Sequence, residues 1–237
     1  MDFEQFDDII MECSRILGEQ CGDSIDRIAR TALIAGATAA YSAGQSAVAS
    51  LDSPAHDISF KDIVKQVFAL QAADALPKEG GDFIVLLHPH SMASLFNDAT
   101  FVNAFVFETD QAALRSGRMG RMLNCQIYVS SNVYENANAG VGSTTDVYSA
   151  LFIAEESYAT AGVSNIDPQN VDQGGAQEYT MTGKNVKPVE IIAKPLGYGN
   201  DELNQRGSVG WKAAFDLEIL NSAWIRNMSH TNMFSDD

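Results

Sequence analysis

Gly207, Gly210 and Lys212 fall within the run GSVGWK, a grouping that could cradle a phosphate. That chemistry needs glycines that open a helix, so that backbone N–H groups point at the anion and the lysine adds charge. Here the run opens into alternation instead. Val209, Trp211, Ala213, Phe215, Leu217 and Ile219 are apolar, and a more polar set separates them. This predicts one long strand with a buried face, begun by the glycines. Trp211 also stands between glycine and lysine, which breaks the phosphate-loop pattern.

Asp167 to Glu178 has the length of a calcium-binding loop. Val171 replaces an oxygen ligand there, and Asp172 replaces the glycine the turn requires, so a hydrophilic loop is expected. His88-Pro89-His90 could hold a metal, but no cysteine or helically spaced histidine supports it. A turn at a strand end is the expectation, with His56 and His230 isolated. No Gly-x-Ser-x-Gly elbow marks a serine nucleophile. Cys13 and Cys21 fall on the apolar stripe of a helix, where cysteine acts as a small core residue. Eight residues of helix hold them about 12 Å apart, too far for a disulfide. With Cys125 the count is three, which predicts reduced thiols and an intracellular origin. Arg115, Arg118 and Arg121 form a basic patch, since acids are absent from Gln111 to Tyr134. On a helix they would share a face, either solvated or facing an acidic neighbour subunit.

The elements that must position these residues alternate without a regular repeat. Phe3, Phe6, Ile10, Cys13, Leu17, Cys21, Ile25, Ile28 and Ala32 recur every three or four residues, which predicts one helix of about 30 residues. Ala35 to Ala49 is rich in small residues, suited to close packing or a loop. Helices are predicted over Ile58–Ala75, SMASLFND and Phe101–Leu114. Strands are predicted at DFIVLLHP, NCQIYVSS, VYSALFIAEESYATAGV, PVEIIAKPL and AWIRNM. The class is α+β. The 237 residues carry a net charge of −16, which argues against a general nucleic-acid binder and against docking on anionic membranes. No segment has the length and apolarity of a membrane span, and the N-terminus lacks a signal-peptide pattern.

The block KPLGYGNDELNQRGSVGWKAAFDLEILNSAWIRN resembles the C-terminal signature of the tailed-phage major capsid proteins typified by coliphage N four. Pro195-Leu196-Gly197, Leu203 to Arg206, Val209 to Ala213 and Leu220-Asn221 carry the match. LGEQCGDSIDRIARTALIAGATAAY, VLLHPHSMASLFND and GRMGRMLNCQIYVSSN are similar to the family's long helix, its strand-His-Pro-helix unit and its turn into a strand. The resemblance implies the Hong Kong 97-type capsid fold: a long spine helix, a peripheral β-sheet and an axial domain. On that mapping residues 1–52 are the spine helix of the peripheral domain, 53–187 are mostly axial, and 188–237 are peripheral strands.

The implied function is self-assembly into an icosahedral phage head, without catalysis, cofactor or metal. The implied partners are copies of the chain in hexamers and pentamers, enclosed phage DNA bound without sequence specificity, and scaffold or decoration proteins. The implied locations are the virion and, during assembly, the bacterial host cytoplasm. The family's N-terminal arm and extended loop have no counterpart before the spine, so a truncated form that assembles poorly is expected. Arg206 becomes a structural or intersubunit ion-pair partner, and Trp211 is expected to lie on a face packed against the spine. Lys212, Arg115, Arg118 and Arg121 are the other intersubunit candidates. Two alternatives stay open: a nanocompartment shell of the same fold enclosing cargo protein, and a hydrolase or small-ligand domain with a site built from distant segments.

Overall fold

A computed structural model describes residues 3–78, 80–108, 118–122, 124–161, 189–194, 208–213 and 215–235. Contacts group the chain into two units. One takes Met1–Ile28 and Thr160–Leu217; the other takes Ala29–Ala159 and Glu218–Asp237. The chain therefore passes between units near residues 28, 159 and 217.

The first helix, α1 (Phe3–Gly36), runs unbroken for 34 residues, about 50 Å. Gly18 and Gly22 lie inside it in open surroundings, with nothing within 4 Å of where a Cβ would sit. Glu12, Arg15 and Glu19, and separately Asp23 and Arg27, pair along its exposed surface at helical spacing. The predicted core stripe is only partly buried. Cys21 is covered, but Cys13 is exposed and Ile28 keeps 58% of its surface in solvent.

In the first unit, β8 (Val189–Lys194) pairs antiparallel with β9 (Ser208–Ala213). The expected single strand through Ile219 is two strands, because β10 (Asp216–Ile219) takes a different partner, β7 (Tyr158–Ala161). The alternation continues through Phe215, which is why periodicity alone shows no break. Its inward positions, Trp211 and Phe215 included, are half-buried rather than buried.

The second unit is built on a mixed sheet. Its strands are β1 (Thr38–Tyr41), β2 (Phe83–Leu87), β3 (Arg118–Met122), β4 (Cys125–Val129), β5 (Glu135–Asn136), β6 (Val147–Ile153) and β11 (Ile225–His230). The order is β1-β11-β6-β2-β4-β3, with β5 also on β6. β1 is parallel to β11 and β2 to β4; the other pairs are antiparallel. All seven residues of β6 are buried, as a continuous apolar run in a sheet centre should be.

Three helices cover one face of this sheet: α2 (Phe60–Ala72), α3 (Pro89–Leu95) and α4 (Ala99–Glu108). Ile63, Val67 and Leu70 of α2, Met92 and Leu95 of α3 and Phe101 of α4 form one core with Phe83, Val85, Leu87, Ile127 and Phe152. Asp98 joins two of these helices. Its carboxylate accepts from the Thr100 N–H and from the Phe60 N–H, both at 2.9 Å, so it serves the first turns of α4 and α2 together. The predicted helix over Phe101–Leu114 is α4, described to Glu108.

Candidate functional site

A group of titratable side chains lies where β2 runs into α3. His88 ends the strand and caps the helix: its Nδ1 accepts from the His90 N–H at 3.2 Å, and Pro89 takes the first helical position. The rings of His88 and His90 meet edge to face at 4.6 Å, and Tyr148 of β6 lies 5.0 Å from His88. The Tyr148 hydroxyl donates to Glu135 Oε1 at 3.0 Å. That uses its only proton, so in the 3.2 Å contact with His90 Nδ1 the imidazole is the donor. The expected strand-end turn is therefore present at His88-Pro89-His90, held by side chains from β6 and the β5 segment.

His230, which reads as isolated in the sequence, completes the group. It ends β11, opposite Tyr148 in the β6 register, and is fully buried. Its Nδ1 lies 3.3 Å from the Met228 carbonyl, which can only accept, so Nδ1 carries the proton. Nε2 then accepts from the Ser91 hydroxyl at 2.7 Å. Burial lowers the His230 pKa to about 4, opposed by the Met228 carbonyl and reinforced by His88. His88 is lowered by burial first and by His90 second. Burial, then the Glu135 carboxylate, raises the Tyr148 pKa.

Ser91–His230 has the spacing of a nucleophile and its base. It lacks the other requirements. Both residues are 0% exposed, so no substrate reaches the hydroxyl, and a base with a pKa near 4 is a weak proton acceptor at neutral pH. The orienting group is a backbone carbonyl, which cannot stabilise an imidazolium as a carboxylate would. Among the described residues no group of three or more His, Cys, Asp or Glu could hold a metal ion, and no helix is long and apolar enough to cross a membrane. The cluster clamps β11 to α3 and β6.

Lys212 is exposed on β9 opposite Glu190, and Trp211 is half-buried opposite Ile191. Gly210 lies inside β9, so it does not open a helix. Arg118 and Arg121 lie on β3, not on a helix. A register shift between them sets Arg118 opposite Tyr128 and Arg121 opposite Gln126, the mark of a β-bulge. Arg115, Arg206, Gly207 and the Asp167–Glu178 loop lie outside the described residues. His56 belongs to a different lock. Its Nδ1 accepts from the Asp52 N–H at 2.9 Å, and its carbonyl accepts from Ser42 Oγ and the Thr231 N–H.

The long helix and the helix-covered mixed sheet are features of the fold of Hong Kong 97-like phage capsid proteins, which the chain shares. The chain matches the capsid of Ralstonia phage GP4 with a TM-score of 0.55 and 17% identity over 83% of its length. It matches the acid-stable capsid of Helicobacter pylori bacteriophage KHP30 with a TM-score of 0.60, 12% identity and 94% coverage. For the head of Helicobacter pylori bacteriophage KHP40 the values are 0.57, 14% and 95%. The chain spans 53% of the Ralstonia phage chain's length, and 69% and 70% of the two Helicobacter phage chains. Neither a protein-family model nor a curated protein matches the sequence.

Proposed function

We propose that the chain is a major capsid protein subunit that assembles with copies of itself into the icosahedral head of a tailed bacteriophage or prophage. The fold shared with three phage heads over 83–95% of the chain carries this reading. The occluded Ser91–His230 pair supports a structural, non-catalytic role. Phage DNA is enclosed without sequence-specific contact, as the charge of −16 favours. Scaffold or decoration proteins are the further partners, the virion is the final location and host cytoplasm the site of assembly. Arg206, Trp211, Lys212, Arg115, Arg118 and Arg121 are the candidate intersubunit residues.

The test is expression from the genomic reading frame with its flanking codons, followed by light scattering and negative-stain microscopy. Closed shells protecting nuclease-resistant DNA are expected. Shells filled with cargo protein would move the reading to a cellular nanocompartment, and a chain that never associates would overturn it.

A further inference from the structure

The face of the mixed sheet turned away from α2, α3 and α4 carries a row of polar side chains. Side chains alternate between faces along a strand, and directly paired residues share a face. His230 meets Ser91 of α3 and is paired with Tyr148, so both point to the helices. Ser229 and Ser149, one residue earlier and one later, therefore point the other way, paired across β11 and β6. On one side, Tyr41 of β1 is paired with Ser229. On the other, the Ser149 N–H donates to the Tyr134 carbonyl at 3.0 Å, which continues the β5–β6 register by one pair. The row reads Tyr134, Ser149, Ser229, Tyr41: small hydroxyls between aromatic rings. Arg30, near the end of α1, stands over the Tyr134 end, with its guanidinium 5.7 Å from the ring centroid. Its Nη1 donates to the Asn132 carbonyl at 2.7 Å. Its Nε is buried without a hydrogen-bond partner, and among the described residues no carboxylate pairs with it. Ser149 and Ser229 keep 4% and 8% of their surface, and neither hydroxyl has a partner among the described residues. Asn227, two residues before Ser229 and on the same face, has a buried Oδ1 that is also without one.

We propose that Arg30, Ser149 and Ser229 bind a small phosphate anion on this face of the sheet. Buried polar groups left without partners are costly, and here they gather on one face beside a cation that has no counter-charge. The guanidinium supplies charge and the Nε–H donor, and the serine hydroxyls donate from below. Asn227 Oδ1 can only accept, which suits an anion that carries a proton. Hydrogenphosphate meets that condition at neutral pH and sulfate does not. Arg30, Tyr41, Tyr134 and Asn227 are half-buried, so the row is reached from solvent at its rim while the serines form its floor. One subunit holds all these residues, so the site stands independently of the shell reading.

The experiment is isothermal titration calorimetry of the full chain with sodium phosphate at neutral pH and constant ionic strength. Sodium sulfate and a short DNA duplex without terminal phosphates are the other titrants, and circular dichroism confirms folding. Saturable binding of one phosphate per chain is expected, with sulfate about tenfold or more weaker. Arg30→Gln, and separately Ser149→Ala with Ser229→Ala, should each weaken phosphate binding by about tenfold or more. The serine variant keeps the test open if Arg30→Gln does not fold. Absence of saturable phosphate binding would overturn the site, as would equal binding by the wild type and the folded variants. Sulfate binding as tightly as phosphate would reduce the result to simple charge attraction and overturn the role given to Asn227. Binding of the duplex but not of phosphate would assign Arg30 to the nucleic-acid backbone and overturn the small-anion site.

Discussion

His230 should make the second unit acid-labile. Its ordinary pKa of 6.5 falls to about 4 in the folded chain, because a fully buried imidazolium would lose its hydration. The unfolded chain therefore binds this proton more readily, and stability drops as pH falls between those two values. Integrating the linkage from about pH 7 to about pH 4.5 gives a loss of roughly 2–3 kcal/mol from this one group. That is a large share of the stability of a typical domain. The assay is urea unfolding across that pH range for the wild type and for His230→Gln, whose amide oxygen can accept from Ser91 but does not titrate. The variant should be less stable at neutral pH and should show a pH slope shallower by about that amount. Parallel slopes for the two proteins would refute the burial argument.

Other outcomes follow from single contacts. Asp98→Ala should cost about 1–2 kcal/mol and expose the Phe60 and Thr100 amides to hydrogen exchange together, since one carboxylate serves both. Unchanged protection at Phe60 would separate the two helices. Gly36→Ala should cost about 1–3 kcal/mol, because a methyl there runs into the Ile219 side chain. Adding Ile219→Ala should recover part of that loss, and simple additivity would argue against the contact. With a thiol reagent, exposed Cys13 should react at once, whereas Cys21 and Cys125 should wait for unfolding. Rapid labelling of more than one thiol in the folded chain would contradict the burial of the other two.

Short-range features were legible from residue spacing. The periodicity from Phe3 to Ala32 announced α1, and the runs FIVLL and VYSALFI announced β2 and β6. Periodicity reports which side of a helix is apolar, not what covers it, so Cys13 and Ile28 read as core and are exposed. What resisted reading depends on distant pairing. Nothing local shows that β10 leaves the partner of β9, or that Arg118 and Arg121 belong to a bulged strand. The Ser91–His230 contact joins residues 139 apart, and a buried histidine looks like any other in sequence. The signal that could have pointed to it was the end of AWIRNMSH, where an apolar strand closes on a titratable residue.

The place of β11 bears on timing. It lies between β1 and β6, so residues 225–230 separate one of the earliest strands from the central one. During synthesis β1 emerges long before β11, its neighbour among the described strands, and loop closure over so many residues is slow. Until β11 arrives, β6 presents an open hydrogen-bonding edge that another nascent chain could occupy. Translation through β11 is thus the checkpoint for closing the sheet, and ribosome stalling upstream of Ile225 should yield aggregation-prone, chaperone-bound fragments rather than a smaller folded core.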